Sequence, residues 1–219
     1  MAKQTDNAAK RRRQWAAADA AQRRAMIVDA ALHLLHRHGA EAVTIRRVAH
    51  RLGVGAMTLY TYVDGLEGLR LAMMQRGFDM LRQACNQASI RAAARPLWGG
   101  ARQYVQFATD HPSLYHLMFS FPNINHQPTQ VAFHQEFEKT LDEMRDIVPA
   151  DQNLGHMDDA QLRRFTGRVW IAMHGLASLA IAGRLGVLGA DLDQILEDML
   201  SRLTPTPPTE DDPPGSPRL

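Results

Sequence analysis

Apolar residues recur at intervals of three and four along most of the chain between residues 19 and 203, the spacing that places them on one face of an α-helix. Alternating runs of β-branched and aromatic residues, which indicate strands, are absent. The pattern therefore predicts an all-α protein. The predicted helices are Ala20–His38, Ile45–Leu52, Ala56–Tyr62, a long helix from about Glu67 to about Ala94, and five more near 97–109, 112–120, 129–148, 158–185 and 191–203.

Capping and breaking residues set the ends of the first helices. Gly39 stops the first helix, and Thr44 is a good N-cap for the second. Gly53 closes the second helix because glycine adopts the left-handed conformation without strain. Asp64 and Gly65 break the third. The chain thus begins with a supporting helix, two short helices joined by a tight glycine-containing turn, and one long helix.

The two ends of the chain lack helical periodicity. Residues 1–18 are predicted to be a flexible basic arm. Residues 204–219, "TPTPPTEDDPPGSPRL", are rich in proline and acidic side chains and are predicted to be a disordered tail.

The composition is that of an ordinary globular protein, with 45% hydrophobic residues among 219. The single cysteine, Cys85, cannot form an internal disulfide, and no secretory signal is visible. The longest uncharged apolar run, Val169–Gly183, is shorter than the ~20 residues of a membrane span. These features predict a cytoplasmic protein.

Charge is distributed unevenly along the chain. The first 63 residues contain eleven of the 25 basic residues and four of the 23 acidic residues, so they carry a net charge of +7 while the remainder carries −5. A basic first third on a mildly acidic body indicates contact with a polyanion at one end. A solvated charged face is the alternative explanation.

A supporting helix followed by two short helices and a tight turn is the helix-turn-helix arrangement, in which the second short helix enters the major groove of DNA. Ala56 and Met57 are suited to contact a thymine methyl group, and the threonines and tyrosines that follow offer hydroxyls to bases or phosphates. The predicted DNA-binding residues are Thr44, Arg46, Arg47, Gly55, Ala56, Met57, Thr58, Tyr60, Thr61 and Tyr62.

The stretch "AEAVTIRRVAHRLGVGAMTLYTYVDGLEGL" resembles the N-terminal module of the TetR family of transcriptional regulators. The chain departs from the family pattern at Gly55, where serine is usual, and at Met57, Val63 and Leu66. The matching positions are Thr44, Ile45, Val48, Ala49, Gly53, Val54, Thr58, Leu59, Tyr60, Tyr62 and Leu69. The resemblance implies a DNA-binding domain over 19–66, and a helical ligand-binding and dimerisation domain over 67–203. It also implies a homodimeric, sequence-specific repressor that a small molecule releases from operator DNA.

Two stretches of the second domain resemble a subfamily named for a W-H-G motif: "HPSLYHLMFS" at 111–120 and "VWIAMHGLASLAIAGRL" at 169–185. The second stretch carries Trp170, His174 and Gly175 in the expected spacing. Its many small residues favour close packing against the same helix of a second subunit, and the alternative is a core helix of a monomer. The predicted dimer interface comprises Gly175, Ser178, Ala182, Leu192, Leu196 and Met199.

Aromatic and methionine side chains of the second domain are candidates for an apolar effector pocket, with His174 or Tyr104 as polar anchors. The same residue types also fill ordinary cores, and His174 as a structural residue stays open. The predicted lining is Tyr104, Phe107, Tyr115, Met118, Phe119, Phe137, Trp170, Met173 and His174.

Other kinds of site find little support in the sequence. His33 and His36 have helical spacing, but neither an acid nor a thiol nearby completes a metal site, so we predict no metal and no cofactor. A nucleophile–base pair and a phosphate-binding loop are both missing, so we predict that the protein is not an enzyme. Two alternatives remain: an all-helical enzyme or small-molecule-binding protein, and a non-specific nucleic-acid-binding module that uses the basic arm.

Overall fold

The computed structural model describes residues 12–92, 94–119, 127–148 and 157–203, and their regular structure is helical throughout. The predicted all-α fold is confirmed. The helices are α1 (12–17), α2 (Ala20–His38), α3 (Ile45–Leu52), α4 (Ala56–Leu59), α5 (Gly65–Arg91), α6 (Pro96–Asp110), α7 (Pro112–Phe119), α8 (Gln127–Ile147), α9 (Asp159–Ile181) and α10 (Leu192–Leu203).

Several predicted helix ends are wrong by a few residues. Helix α4 stops at Leu59, and residues 60–62 form turns rather than its last helical turn. Helix α9 stops at Ile181, and Gly183 then adopts a φ of 66° that a helix does not allow. A separate 3₁₀ turn, Leu185–Leu188, follows.

The expectation of a flexible arm over 1–18 is wrong for residues 12–17, which are helical. Trp15 in this helix is only 7% exposed, and burial of its indole stabilises the segment against the rest of the chain. The segment is too short for helical periodicity to reveal it. Residues 1–11 and the predicted tail, 204–219, lie outside the described residues.

The chain forms two compact units. The first contains residues up to Met80 together with Asp110–Phe137, and the second contains Leu81–Thr109 together with the residues from Glu138 onward. Helices α5 and α8 therefore each contribute to both units. The predicted boundary between two functional domains at residues 66 and 67 stays a prediction, because the two compact units divide inside α5 and α8 instead.

The core of the first unit contains a cluster of aromatic side chains. The Phe78 ring is fully buried, with ring centroids of Phe119 and Phe133 at 5.5 and 5.9 Å. The ring centroids of Tyr115 and Phe119 are 4.8 Å apart. A Cβ on Gly77 would lie 2.7 Å from the sulfur of Met118, so glycine at this position allows α5 and α7 to approach closely.

In the second unit, α6 and α9 both contribute many buried apolar side chains. Phe165, Val169 and Ala177 are fully buried, and α10 packs on α9 through Leu196 and Leu200. Asp158 begins α9 with a capping box, in which its carboxylate accepts from the Gln161 backbone at 2.7 Å. This cap fixes the start of the helix that carries the W-H-G residues.

Candidate nucleic-acid interface and effector cavity

The first short helix of the interface, α3, is fixed at both ends by its sequence. The hydroxyl of Thr44 accepts a hydrogen bond of 3.2 Å from the backbone N–H of Arg47. At the other end Gly53 has a φ of 73°, in the left-handed region, and its N–H donates to carbonyls of the last turn. Ile45, Val48, Ala49 and Leu52 are buried on one side, and Arg46 and Arg47 are exposed.

One buried side chain anchors the second short helix, α4, to its unit, and the other side chains of the helix are half-buried or exposed. Leu59 is fully buried, whereas Met57 is 79% exposed and Tyr60, just beyond the helix, is 54% exposed. Both side chains are therefore accessible for contacts outside the chain. Their position at the end of a helix-turn-helix matches the base-reading and phosphate-contacting surfaces of that motif.

The structure brings the ten predicted DNA-binding residues together on α3, α4 and the turn after it. The exposed members are Arg46, Arg47, Gly55, Met57, Tyr60 and Thr61, and the half-buried members are Thr44, Ala56, Thr58 and Tyr62. Two hydroxyls already have partners within the chain: Thr44 caps α3, and Tyr62 accepts from Arg23 at 2.9 Å. Their roles in DNA binding stay predictions.

Gly55 occupies the N-cap position of α4 without a side-chain hydrogen bond. Its φ is −70°, and an added Cβ would meet only the Thr58 hydroxyl oxygen at 3.7 Å, so other residues fit there. We expect Gly55→Ser to restore the missing cap and to be about 1 kcal/mol more stable than Gly55→Ala, which fits but cannot accept the hydrogen bond. Urea unfolding of the two variants measures this difference, and equal stabilities would contradict it.

A cluster built on Arg23 was not predicted from the sequence. The Arg23 side chain donates to the backbone carbonyls of Trp15 and Ala16 at 3.1 and 3.4 Å and lies 5.7 Å from the centre of the Trp15 ring. The rings of Trp15 and Tyr62 make a T-shaped contact with a centroid distance of 5.5 Å. The only sequence signal was an isolated tryptophan in a basic segment, since Arg23 and Tyr62 are far apart in the chain.

The second unit encloses a cavity of about 50 Å³ between α5, α6, α8 and α9. Most of its wall is apolar. Gly100 lies at one side, where a Cβ would approach the Ser89 hydroxyl oxygen to 2.7 Å. The lining residues are Leu81, Arg82, Cys85, Asn86, Ser89, Gly100, Ala101, Tyr104, Thr140, Glu143, Met144, Ile147, Val169, Trp170 and Met173.

One part of the cavity wall is polar and contains charged side chains, which the prediction of an apolar pocket did not anticipate. Arg82, 8% exposed, lies 3.2 Å from a carboxylate oxygen of Glu143. The other oxygen of Glu143 accepts from Asn86 at 2.6 Å. Ser89 is buried, and among the described residues its hydroxyl oxygen has no hydrogen-bond partner. The wall therefore holds a compensated charge pair and one unsatisfied hydroxyl.

The predicted pocket residues fall into three groups: those that line the cavity, those in the same unit that do not line it, and those in the first unit. Tyr104, Trp170 and Met173 line the cavity. Phe107 is buried in the same unit without lining it, and the His174 ring stacks on Trp170 at 5.2 Å. Partial burial lowers the pKa of His174, which favours the neutral imidazole. The other four residues, Tyr115, Met118, Phe119 and Phe137, belong to the first unit.

Cys85 faces the cavity as a neutral thiol. Burial, with the nearby Glu143 carboxylate as a smaller contribution, raises its pKa from 9.0 to about 12. At pH 8 this leaves about 1000-fold less thiolate than an unperturbed cysteine has. We expect the folded protein to react with iodoacetamide at least about 100-fold more slowly than the urea-unfolded chain at the same pH. Comparable rates would contradict the raised pKa of this thiol.

The predicted dimer-interface residues also divide by exposure. Gly175 and Ser178 on α9 and Ala182 just after it are exposed, and Leu192 and Met199 are half-buried. Leu196 is completely buried inside its own unit, so its side chain is not available to a partner and that prediction is wrong.

No helix in the described part of the chain is both long and apolar enough to span a membrane. The same residues contain no group of three or more histidine, cysteine or acidic side chains placed to hold a metal ion.

Comparison with known proteins bears on both units. Residues 27–73 match the family model "Bacterial regulatory proteins, tetR family", and residues 97–203 match "Tetracyclin repressor-like, C-terminal domain". An uncharacterized HTH-type transcriptional regulator of Mycobacterium tuberculosis, Rv0681, is 29% identical over 181 residues, which are 82% of this chain and 79% of the relative.

Solved structures agree in fold. A protein of unknown function from Rhodococcus sp. RHA1 superposes with a TM-score of 0.67 at 24% identity, over 82% of this chain and 92% of the other. The transcriptional regulator FadR of Bacillus subtilis, solved with stearoyl-CoA, gives a TM-score of 0.61 at 13% identity, over 82% of this chain and 96% of that one.

The two family models match in chain order and together cover more than half of the sequence, one on the helix-turn-helix and one on the helical body. The α3–turn–α4 geometry and the exposed residues after it agree with the first of them. The chain belongs to the TetR family of transcriptional regulators, and its first unit carries the family's helix-turn-helix DNA-binding module.

Proposed function

We propose that the protein is a homodimeric repressor that binds operator DNA through α3 and α4 and is released by a small molecule that enters the second unit. The observation that carries this proposal is the cavity along α5, since α5 begins in the DNA-binding unit and continues past Leu81, Cys85 and Ser89. A ligand that displaces this helix acts on both units through one continuous element.

The cavity supports an effector with an apolar body and one polar group. Tyr104, Val169 and Trp170 provide apolar wall, and the unsatisfied Ser89 hydroxyl provides a hydrogen-bonding group at the polar side. The stearoyl-CoA bound to FadR of Bacillus subtilis is a ligand with such an apolar body in a protein of the same fold. A volume of about 50 Å³ is far below the roughly 300–1,000 Å³ of typical ligand pockets, so the walls must move apart when the effector binds. That movement is the proposed source of release.

Dimerisation is supported by the exposed face of α9. Ile171 is 66% exposed, and Leu179 is partly exposed two turns further along. Gly167 and Gly175 alternate with them at four-residue spacing, and an added Cβ at either glycine would meet nothing within 4 Å. An apolar stripe with open glycines allows the same helix of a second copy to pack closely around a two-fold axis. The occupant we propose is therefore a second copy of this chain.

The experiment that tests release is a screen followed by a titration. Apolar small molecules that carry one polar group, fatty acids and acyl-CoA thioesters included, are scored by fluorescence anisotropy for release of DNA taken from upstream of the protein's own gene. A releasing compound is then titrated with and without saturating DNA. Because coupling between two sites is reciprocal, DNA must weaken compound binding by the factor by which the compound weakens DNA binding, typically about 5- to 150-fold.

Trp170 provides a matched pair of variants for this titration. We expect Trp170→Ala to lose most of the response to the compound while DNA affinity without it stays near wild type, because the indole lines the cavity and not the DNA-binding unit. Trp170→Phe keeps an aromatic wall and is expected to retain more of the response. A compound that binds equally well with and without DNA would contradict the proposed coupling.

A further inference from the structure

Arg23 contacts a segment outside the helix-turn-helix that lies next to the predicted DNA-binding surface. Three elements meet at this side chain: the C-terminal end of α1, the body of α2 and the turn after α4. Arg23 is half-buried, and its guanidinium divides its donors between the α1 carbonyls of Trp15 and Ala16 and the hydroxyl of Tyr62.

Each contact has a clear physical effect. A guanidinium at the C-terminal end of α1 adds hydrogen bonds to two carbonyls of its last turn and complements the helix dipole. The Trp15 ring has the Arg23 cation 5.7 Å from its centre and makes a T-shaped contact with the Tyr62 ring. The Tyr62 oxygen accepts from Arg23, so its own proton remains to be donated outward.

These contacts hold two positively charged side chains of α1 in a fixed position relative to the turn after α4. Arg12 and Arg13 are both exposed on α1, and Arg12 lies one helical turn from Trp15 on the same side of the helix. Trp15 is packed on Tyr62, which immediately follows the exposed Tyr60 and Thr61. A cation held next to a DNA-contacting surface loses less conformational entropy on binding than the same cation on a free arm.

We propose that Arg23 is a positioning residue of the DNA interface: it clamps α1 onto the turn after α4 through Trp15 and Tyr62, so that Arg12 and Arg13 form a fixed second contact with the phosphate backbone. The proposal rests on DNA binding by the helix-turn-helix and is independent of the effector. It replaces a freely moving arm with a docked extension of the recognition surface.

The test is a double-mutant cycle on the full-length dimer with DNA from upstream of its gene. Arg12→Gln and Arg13→Gln are made together in the wild type and in Arg23→Met, and dissociation constants are measured over a series of salt concentrations. In the wild-type background we expect the pair to weaken binding about tenfold near 0.1 M salt and to reduce the salt slope by about 0.9 for each phosphate no longer neutralised. In the Arg23→Met background we expect the same pair to cost less than about threefold.

Arg24→Met is the matched control because it removes the same charge at the next position, which is exposed. In that background the cost of neutralising Arg12 and Arg13 should keep its wild-type value. Limited trypsin digestion reports the clamp directly: cleavage after Arg12 and Arg13 should be faster in Arg23→Met than in the wild type and unchanged in Arg24→Met. Arg23→Lys, which keeps the charge but cannot bridge three acceptors in one plane, takes the place of Arg23→Met if thermal melting shows that the latter is unfolded.

An equal fold-loss in all backgrounds would overturn the proposal, because the arginines would then act without the clamp. The absence of any loss in the wild-type background would overturn it as well, because the arginines would then not contact DNA. Neither result touches the helix-turn-helix assignment, which is tested separately by binding of the wild-type protein to the DNA.

Discussion

Replacing Gly175 with arginine is expected to convert the dimer to a monomer and to weaken operator binding by about 100- to 10,000-fold, the usual gain from joining two binding modules. Within one chain we expect the change to be tolerated, because Gly175 is exposed and an added Cβ there meets nothing within 4 Å. In the proposed dimer it places a charge inside a closely packed apolar stripe. Sedimentation velocity and anisotropy with upstream DNA measure the two effects.

Gln87→Arg adds the same charge at an exposed position of α5 and serves as the control, with dimer and DNA affinity retained. Thermal melting separates loss of the dimer from loss of the fold, since the Gly175→Arg monomer should remain helical by circular dichroism. A Gly175→Arg protein that sediments as a dimer would place the interface elsewhere.

The second large effect is expected at the recognition surface. Met57→Ala and Thr61→Ala should alter base preference, each by about 1–3 kcal/mol at the base pair that the side chain contacts, because both residues are exposed where α4 would meet the groove. Tyr60→Phe should weaken operator and random DNA by similar factors, because a phenolic hydroxyl on a phosphate oxygen carries no sequence information. Binding to a library of single-base operator variants measures both patterns.

Glu41→Gln is a suitable control for this series, since Glu41 is exposed in the same unit and precedes the helix-turn-helix. It should leave the order of preferred sequences unchanged. If Tyr60→Phe and Thr61→Ala both bind every DNA as the wild type does at moderate salt, α4 is not the recognition helix.

The sequence predicted the helix-turn-helix well because its determinants are local. Thr44 and Gly53 fix the ends of α3 through hydrogen bonds and a backbone angle that involve only near neighbours. The apolar spacing of α3 identified its buried face for the same reason. The end of α4 was wrong by three residues because the turn over 60–62 is stabilised by Tyr62 packing on Trp15, a contact between distant parts of the chain.

The effector pocket was predicted less well because residue type does not distinguish a cavity wall from a filled core. Tyr115 and Phe119 are aromatic like Tyr104 and Trp170, but they pack in the other compact unit. Likewise Leu196 has the helical spacing of an interface residue, and only packing against α9 shows that its surface is already used. The polar side of the cavity depends on Arg82 and Glu143, which lie on different helices, and no local pattern pairs them.

The central claim is that the helix-turn-helix reads a specific DNA sequence, and one binding measurement tests it most directly. The wild-type protein is titrated, at about 0.15 M salt, against DNA from upstream of its own gene and against random DNA of the same length. The account predicts that the upstream DNA binds at least about 1000-fold more tightly, as specific sites do for DNA-binding regulators. Equal affinities for the two DNAs, falling in parallel as salt is raised, would contradict it and leave a protein that binds the phosphate backbone alone.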